Sequence, residues 1–119
     1  MSVYDIRQRT YHYALDVIRF LEGLPDDYTS RTLGKQLLRS ATSVGANVVE
    51  AQASGSKRDF ANFYGYALKS SNESKFWLGL LQDSGKVSKD RGRQLLNETN
   101  ELSSILASSL LTLRGKRKL

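Results

Sequence analysis

Apolar residues along this chain return at steps of three and four, with no stretch of strict alternation, so helices are predicted throughout. The first is predicted over about 5–23, with Tyr11, Ala14, Ile18 and Leu21 on one face; Gly23 and the only proline, Pro25, stop it. The second is predicted over about 29–53. Its apolar side holds Leu33, Leu37, Ala41, Val44, Val48 and Ala51, and a further side carries Leu38, Gly45 and Val49. Gly55 breaks the chain, and Ser56 with an acid three residues on, Asp59, signals the start of a third helix over about 57–83. Its seam is Phe60, Tyr64, Ala67, Ser71, Leu78 and Leu81. After the turn D-S-G-K-V-S, Ser88 caps a fourth helix over about 88–113, carrying Leu95, Leu102, Ile105, Leu106, Leu110 and Leu113. Short connections between long helices force antiparallel neighbours. The predicted fold is all-α: an antiparallel up-down-up-down four-helix bundle, a single domain over 1–113, followed by a basic tail at 114–119.

Two features exceed what one bundle needs. Gly34, Gly45, Gly65 and Gly79 lie inside predicted helices, where each costs roughly 1 kcal/mol relative to Ala. Close helix approach, with Tyr or Trp rings filling the notches, is the expected compensation. The second helix also carries a polar stripe at heptad-like spacing: Gln36, Ser40, Ser43, Asn47, Glu50 and Ser54. These side chains are short, whereas a solvated face more often shows Lys, Glu and Arg. The stripe is therefore expected to be packed against protein. Arg39, Ser43, Asn47 and Glu50, joined by Glu73 of the third helix, would form a structural hydrogen-bond network, within one chain or between two. Phe76, Trp77 and Leu80 are spread around the third helix beyond its seam. That surplus points to a subunit interface.

Charge adds one asymmetry. Of the formal net charge of +6, four charges come from Arg114, Lys116, Arg117 and Lys118, which leaves +2 for residues 1–113. Further basic positions are Lys57 and Arg58 at the start of the third helix, and Lys86, Lys89, Arg91 and Arg93 around the start of the fourth. These ten residues are the candidate nucleic-acid contacts. With no RNA-recognition, KH or zinc-finger signature, binding to RNA or DNA would be sequence-tolerant and salt-dependent. The longest apolar run, from Phe76 to Leu81, is six residues, far short of a membrane span. The N-terminus is polar, and no cysteine is present, so the expected compartment is the cytoplasm.

Catalysis has little support. His12 is the only histidine and no acid lies three residues before it, so the Glu-x-x-His pairs of di-metal bundles are missing. There is no nucleophile elbow and no phosphate-cradling glycine motif. Two carboxylates, Glu50 and Glu73, could share a Mg²⁺ through waters, but spacing alone argues weakly for it. No catalytic, cofactor or metal residue is assigned.

The run Q-L-L-R-S-A-T-S-V-G-A-N-V-V-E-A resembles the second-helix signature of the four-helix-bundle proteins encoded in intervening sequences of bacterial 23S ribosomal RNA genes. Gln36, Leu37, Arg39, Ser40, Ala41, Ser43, Asn47 and Glu50 carry the match, and Leu24, Pro25, Ser56, Phe60, Ala67, Ser70 and Glu73 extend it. Two positions depart from the pattern: Ala51 and Gln52 delay the glycine that usually follows the acid, and Gly45 stands where a proline or small residue is common. The resemblance implies a homo-oligomeric ring, a pentamer above other states. It is also similar in architecture to accessory proteins of diversity-generating retroelements, which implies a basic toroid serving a reverse transcriptase or another nucleic-acid enzyme. Five copies of +6 would put about +30 on one particle. The alternative is a protein-interaction scaffold with no nucleic-acid role.

Overall fold

A computed structural model describes residues 5–115 and contains four helices: α1 (Asp5–Glu22), α2 (Tyr28–Ala53), α3 (Lys57–Asp83) and α4 (Lys89–Leu113). Each lies within a residue or two of its predicted span, because the local start signals act as expected. Ser56 accepts from the backbone N–H of Asp59 at 3.0 Å, and Ser88 from that of Arg91 at 3.4 Å. α2 has a cap the sequence reading passed over: the Asp27 carboxylate accepts from the N–H of Ser30 at 2.7 Å. That bond, aided by Lys86, holds the Asp27 carboxyl below its ordinary pKa.

The helices alternate in direction. Lys86, in the turn before α4, reaches Asp27 before α2 at 3.2 Å, and Arg91 of α4 donates to the carbonyl of Phe20 near the end of α1. One pole thus gathers the end of α1, the starts of α2 and α4 and the end of α3. The opposite pole holds the starts of α1 and α3 with the ends of α2 and α4. The particle measures 46 × 25 × 21 Å.

Ile6, Tyr13, Val17 and Phe20 of α1 close onto Leu37, Ala41, Val44 and Val48 of α2, Tyr64, Ala67, Leu78 and Leu81 of α3, and Leu95, Leu102, Leu106 and Leu110 of α4. Burying a large side chain of this kind contributes about 1.5–3 kcal/mol. The predicted face of α1 is corrected here. Tyr11 and Ile18 are exposed at 66% and 40%, while the buried face runs Ile6, Thr10, Tyr13, Val17, Phe20. Thr10 disguises that face as polar, yet its hydroxyl is satisfied by the carbonyl of Ile6 at 2.8 Å and so buries without penalty.

Three hydroxyl pairs cross the core. Ser40 of α2 meets Ser74 of α3 at 2.8 Å, Ser71 of α3 meets Ser103 of α4 at 2.7 Å, and Tyr13 of α1 meets Thr99 of α4 at 2.7 Å. Burial pushes the Tyr13 hydroxyl above its ordinary pKa, opposed by its bonds to Thr99 and Ser74. The glycines are used for close approach, but by other partners than aromatic rings. A Cβ at Gly34 would lie 3.1 Å from Leu24 and 3.2 Å from Leu21, and one at Gly45 would lie 3.2 Å from the Thr10 hydroxyl. Gly79 has open space around it, and nothing in the packing explains it.

Candidate interaction surfaces

The polar stripe divides once it is placed in the fold. Ser40 is buried and bonded to Ser74. Ser43 and Asn47 are half-buried, and each bonds a carbonyl of its own helix: Ser43 Oγ to Arg39 at 2.9 Å, Asn47 Nδ2 to Ser43 at 2.8 Å. Arg39, Glu50 and Glu73 are exposed. Glu73 accepts from the indole N–H of Trp77 at 3.0 Å. Among the described residues, no side-chain-to-side-chain bond joins Arg39, Ser43, Asn47, Glu50 and Glu73 to one another within the chain; Ser43 and Asn47 are satisfied by their own helix. The hydroxyls that link helices lie one layer deeper.

Two contacts fix which way the flanks of α2 face. Ser40 looks to α3, and Gly45 abuts Thr10 of α1. The flank toward α3 therefore carries Ser43, Asn47 and Glu50, beside Phe63, Tyr66, Ser70, Glu73 and Trp77 of α3. The flank toward α1 carries Leu38, Gly45 and Val49. There the face assigned by sequence to the core of α1 becomes the wall of an outer groove. One hollow of about 850 Å³ is lined by Arg7, Tyr11, Ala14, Gly45, Ala46 and Val49, and a second of about 380 Å³ by Leu21, Leu24, Ser30, Gly34, Lys35 and Leu38. Sequence periodicity held the signal for this groove, since α1 shows two apolar stripes where a bundle helix needs one.

The seam between α1 and α4 is closed by polar groups. Arg9 donates to both oxygens of Glu98 at 2.8 Å and to Glu101 at 2.6 Å. These bonds, Glu98 first, raise the guanidinium's pKa further. Arg91 lies 5.4 Å over the Phe20 ring.

The predicted basic contacts fall at both poles, in different states. At the pole of the α3–α4 turn, Lys86 pairs with Asp27, Arg93 approaches Asp90 at 3.9 Å and Arg91 is held by Phe20, leaving Lys89 beside Asp90. At the opposite pole Lys57, Arg58 and Arg114 are exposed and, among the described residues, make no ion pair. Arg114 reaches back along α3, its guanidinium 3.8 Å from where a Cβ of Gly65 would stand. Lys116, Arg117 and Lys118 lie outside the described residues. His12 is exposed, and among the described residues no group of three His, Cys, Asp or Glu is placed to hold a metal. From the level of the Ser40–Ser74 contact, Glu50 lies roughly 14 Å along the bundle from Glu73, too far to share one ion. No described helix is long and apolar enough to cross a membrane.

A family model described as 23S rRNA-intervening sequence protein matches residues 3–108. Among solved structures, the crystal structure of a protein with unknown function from the S23 ribosomal protein family of Bacteroides thetaiotaomicron is similar. It shares 30% identity over 88% of this chain and 97% of that chain, with a TM-score of 0.83. No curated protein matches.

Proposed function

The chain belongs to the 23S rRNA-intervening sequence protein family, and we propose that it is a non-catalytic, self-assembling helical platform whose basic pole binds RNA or DNA with little sequence preference. The carrying observation is the contrast between poles: at one, Lys86 and Arg93 are paired and Arg91 is packed on Phe20, while at the other Lys57, Arg58 and Arg114 are exposed and, among the described residues, in no ion pair. In a ring of parallel subunits, five favoured, those open cations repeat around one rim and raise its potential toward phosphate. Such a rim suits a nucleic acid or an enzyme that works on one, a reverse transcriptase included.

The test is a titration of labelled single-stranded RNA and duplex DNA across a salt series, with light scattering to set the subunit number. Log affinity should fall linearly with log salt. Lys57→Glu combined with Arg58→Glu should weaken both ligands alike and flatten the slope by about two. Lys89→Glu, at the paired pole, should change little. Affinity indifferent to salt and to the pair of substitutions overturns the nucleic-acid reading. A protein-interaction scaffold is then favoured, supported by Tyr11, Tyr28, Tyr66 and Phe76, each more than half exposed.

A further inference from the structure

The outer side shared by α3 and α4 carries a second arrangement of cations, in the half nearest the basic pole. Arg58, Asn62, Gly65, Lys69 and Asn72 recur at steps of four, three, four and three, so they form one stripe along α3. The four that have side chains are exposed. At Gly65 the place of a side chain is taken by a cation from the neighbouring helix, since the Arg114 guanidinium lies 3.8 Å from where a Cβ would stand. Arg58, that guanidinium and Lys69 are thus in line, about 10 Å and then about 6 Å apart along the axis. Among the described residues Lys69, like the other two, makes no ion pair.

Amides and a hydroxyl run beside this line on α4. Ser71 meets Ser103 at 2.7 Å and Ser103 donates to Asn72 at 3.3 Å, which sets the level of one helix against the other. Counted from that contact, Lys69 lies about 3 Å toward the basic pole, Ser104 about 1.5 Å toward it and Asn100 about 4.5 Å the other way. Asn100 and Ser104 are exposed. Acids are scarce. Asp59 is the only one in residues 57–72 and Glu101 the only one in 100–114, and Glu101 is turned to Arg9 of α1.

We propose that an unpaired strand of nucleic acid lies lengthwise on this side, its phosphates on Arg58, Arg114 and Lys69 and its bases turned toward Asn72, Asn100 and Ser104. The inference rests on the nucleic-acid reading above and gives the bound strand its form and direction. Lysine and arginine position the backbone, while short amides and hydroxyls bond whichever base edge is free. Adjacent helix axes are about 8–10 Å apart, so the bases reach α4 while the phosphates stay on α3. A duplex shows its base edges only at the floor of a groove about 12 Å wide, which two helices side by side, roughly 20 Å across, do not enter. Gly65 also acquires a purpose, because a longer side chain there would lift Arg114 off the line.

Fluorescence anisotropy with the full chain tests the placement, at one fixed salt concentration. The probes are a labelled oligouridylate of about 15 nucleotides and an RNA duplex with the same number of phosphates. The oligouridylate should bind at least about fivefold more tightly than the duplex. Lys69→Glu, about 16 Å along the helix from Arg58, should weaken it about as much as Arg58→Glu does, by roughly fivefold or more. Gly65→Leu should weaken it too, whereas Gly65→Ala, whose Cβ makes only ordinary contact with the guanidinium, should bind like the parent. Circular dichroism checks that the helices persist in each variant. If Arg58→Glu weakens binding while Lys69→Glu does not, or the duplex binds as tightly as the single strand, this placement is wrong and the basic rim stands. If neither probe binds, the nucleic-acid reading itself is refuted, and the placement with it.

Discussion

The Ser40–Ser74 pair offers a measurable link between two helices. Both hydroxyls are buried, at 3% and 0% exposure, and lie 2.8 Å apart. Each also has a fallback: Ser40 can donate to the carbonyl of Leu37 at 3.2 Å, and Ser74 to that of Ser70 at 2.9 Å. Each hydroxyl owns one proton, so in the pair one side chain donates across and the other donates to its own helix. Ser40→Ala removes the crossing bond and leaves Ser74 on its fallback, a loss of about 1 kcal/mol; Ser74→Ala removes the same bond and, in addition, its contact with Tyr13. Alanine returns a few tenths of a kcal/mol through helix propensity. Removing both loses the same crossing bond once. The double variant should therefore fall short of the sum of the singles by about 1 kcal/mol, and the propensity gains cancel in that difference. Urea unfolding at one fixed protein concentration would show each single variant shifted by roughly 0.3–1 M. Additivity within about 0.3 kcal/mol would refute the claim that this pair joins α2 to α3.

Three further expectations follow from the same contacts. Gly79→Ala should stabilise by about 0.5–1 kcal/mol in thermal melts, whereas Gly34→Ala should give no gain, because Leu21 and Leu24 must yield to its Cβ. Tyr13 is raised above its ordinary pKa, so its contribution is complete below about pH 10 and is lost as the pH climbs toward the folded value. Tyr13→Phe should accordingly melt with a shallower decline on the alkaline side, and an unchanged slope would contradict the assignment. Asp27 is lowered, so its contribution is present above about pH 4 and disappears as the pH falls through the folded value. Asp27→Asn, which keeps a capping oxygen, should lose less melting temperature than the parent on acidification.

The helices were legible because their punctuation is local: Ser56, Ser88, Gly23 and Pro25 act within one turn of themselves. What failed required knowing neighbours. α1 has two apolar stripes, and only the fold shows that Tyr11 and Ile18 stay outside while Thr10, satisfied by its own helix, goes in. The serines at 40, 71, 74 and 103 are chemically the same as those on the surface, so their pairing across helices left no mark in the sequence. Lys86 counted as a free cation until the topology brought Asp27 beside it. Along the α2 stripe, only the fold shows that Ser40 is buried against α3 while Ser43 and Asn47 rest on their own backbone.

Lys35 and Arg39 lie on the side of α2 opposite Leu37 and Ala41, exposed and, among the described residues, outside any ion pair. If both flanks of α2 are taken by neighbouring copies, this helix becomes the inner stave of a barrel, with α4 outermost. Lys35 and Arg39 then ring a central bore, and their mutual repulsion is relieved by anions held inside it. Sulfate or phosphate should consequently tighten the barrel, the reverse of what added salt does to nucleic acid held at the rim.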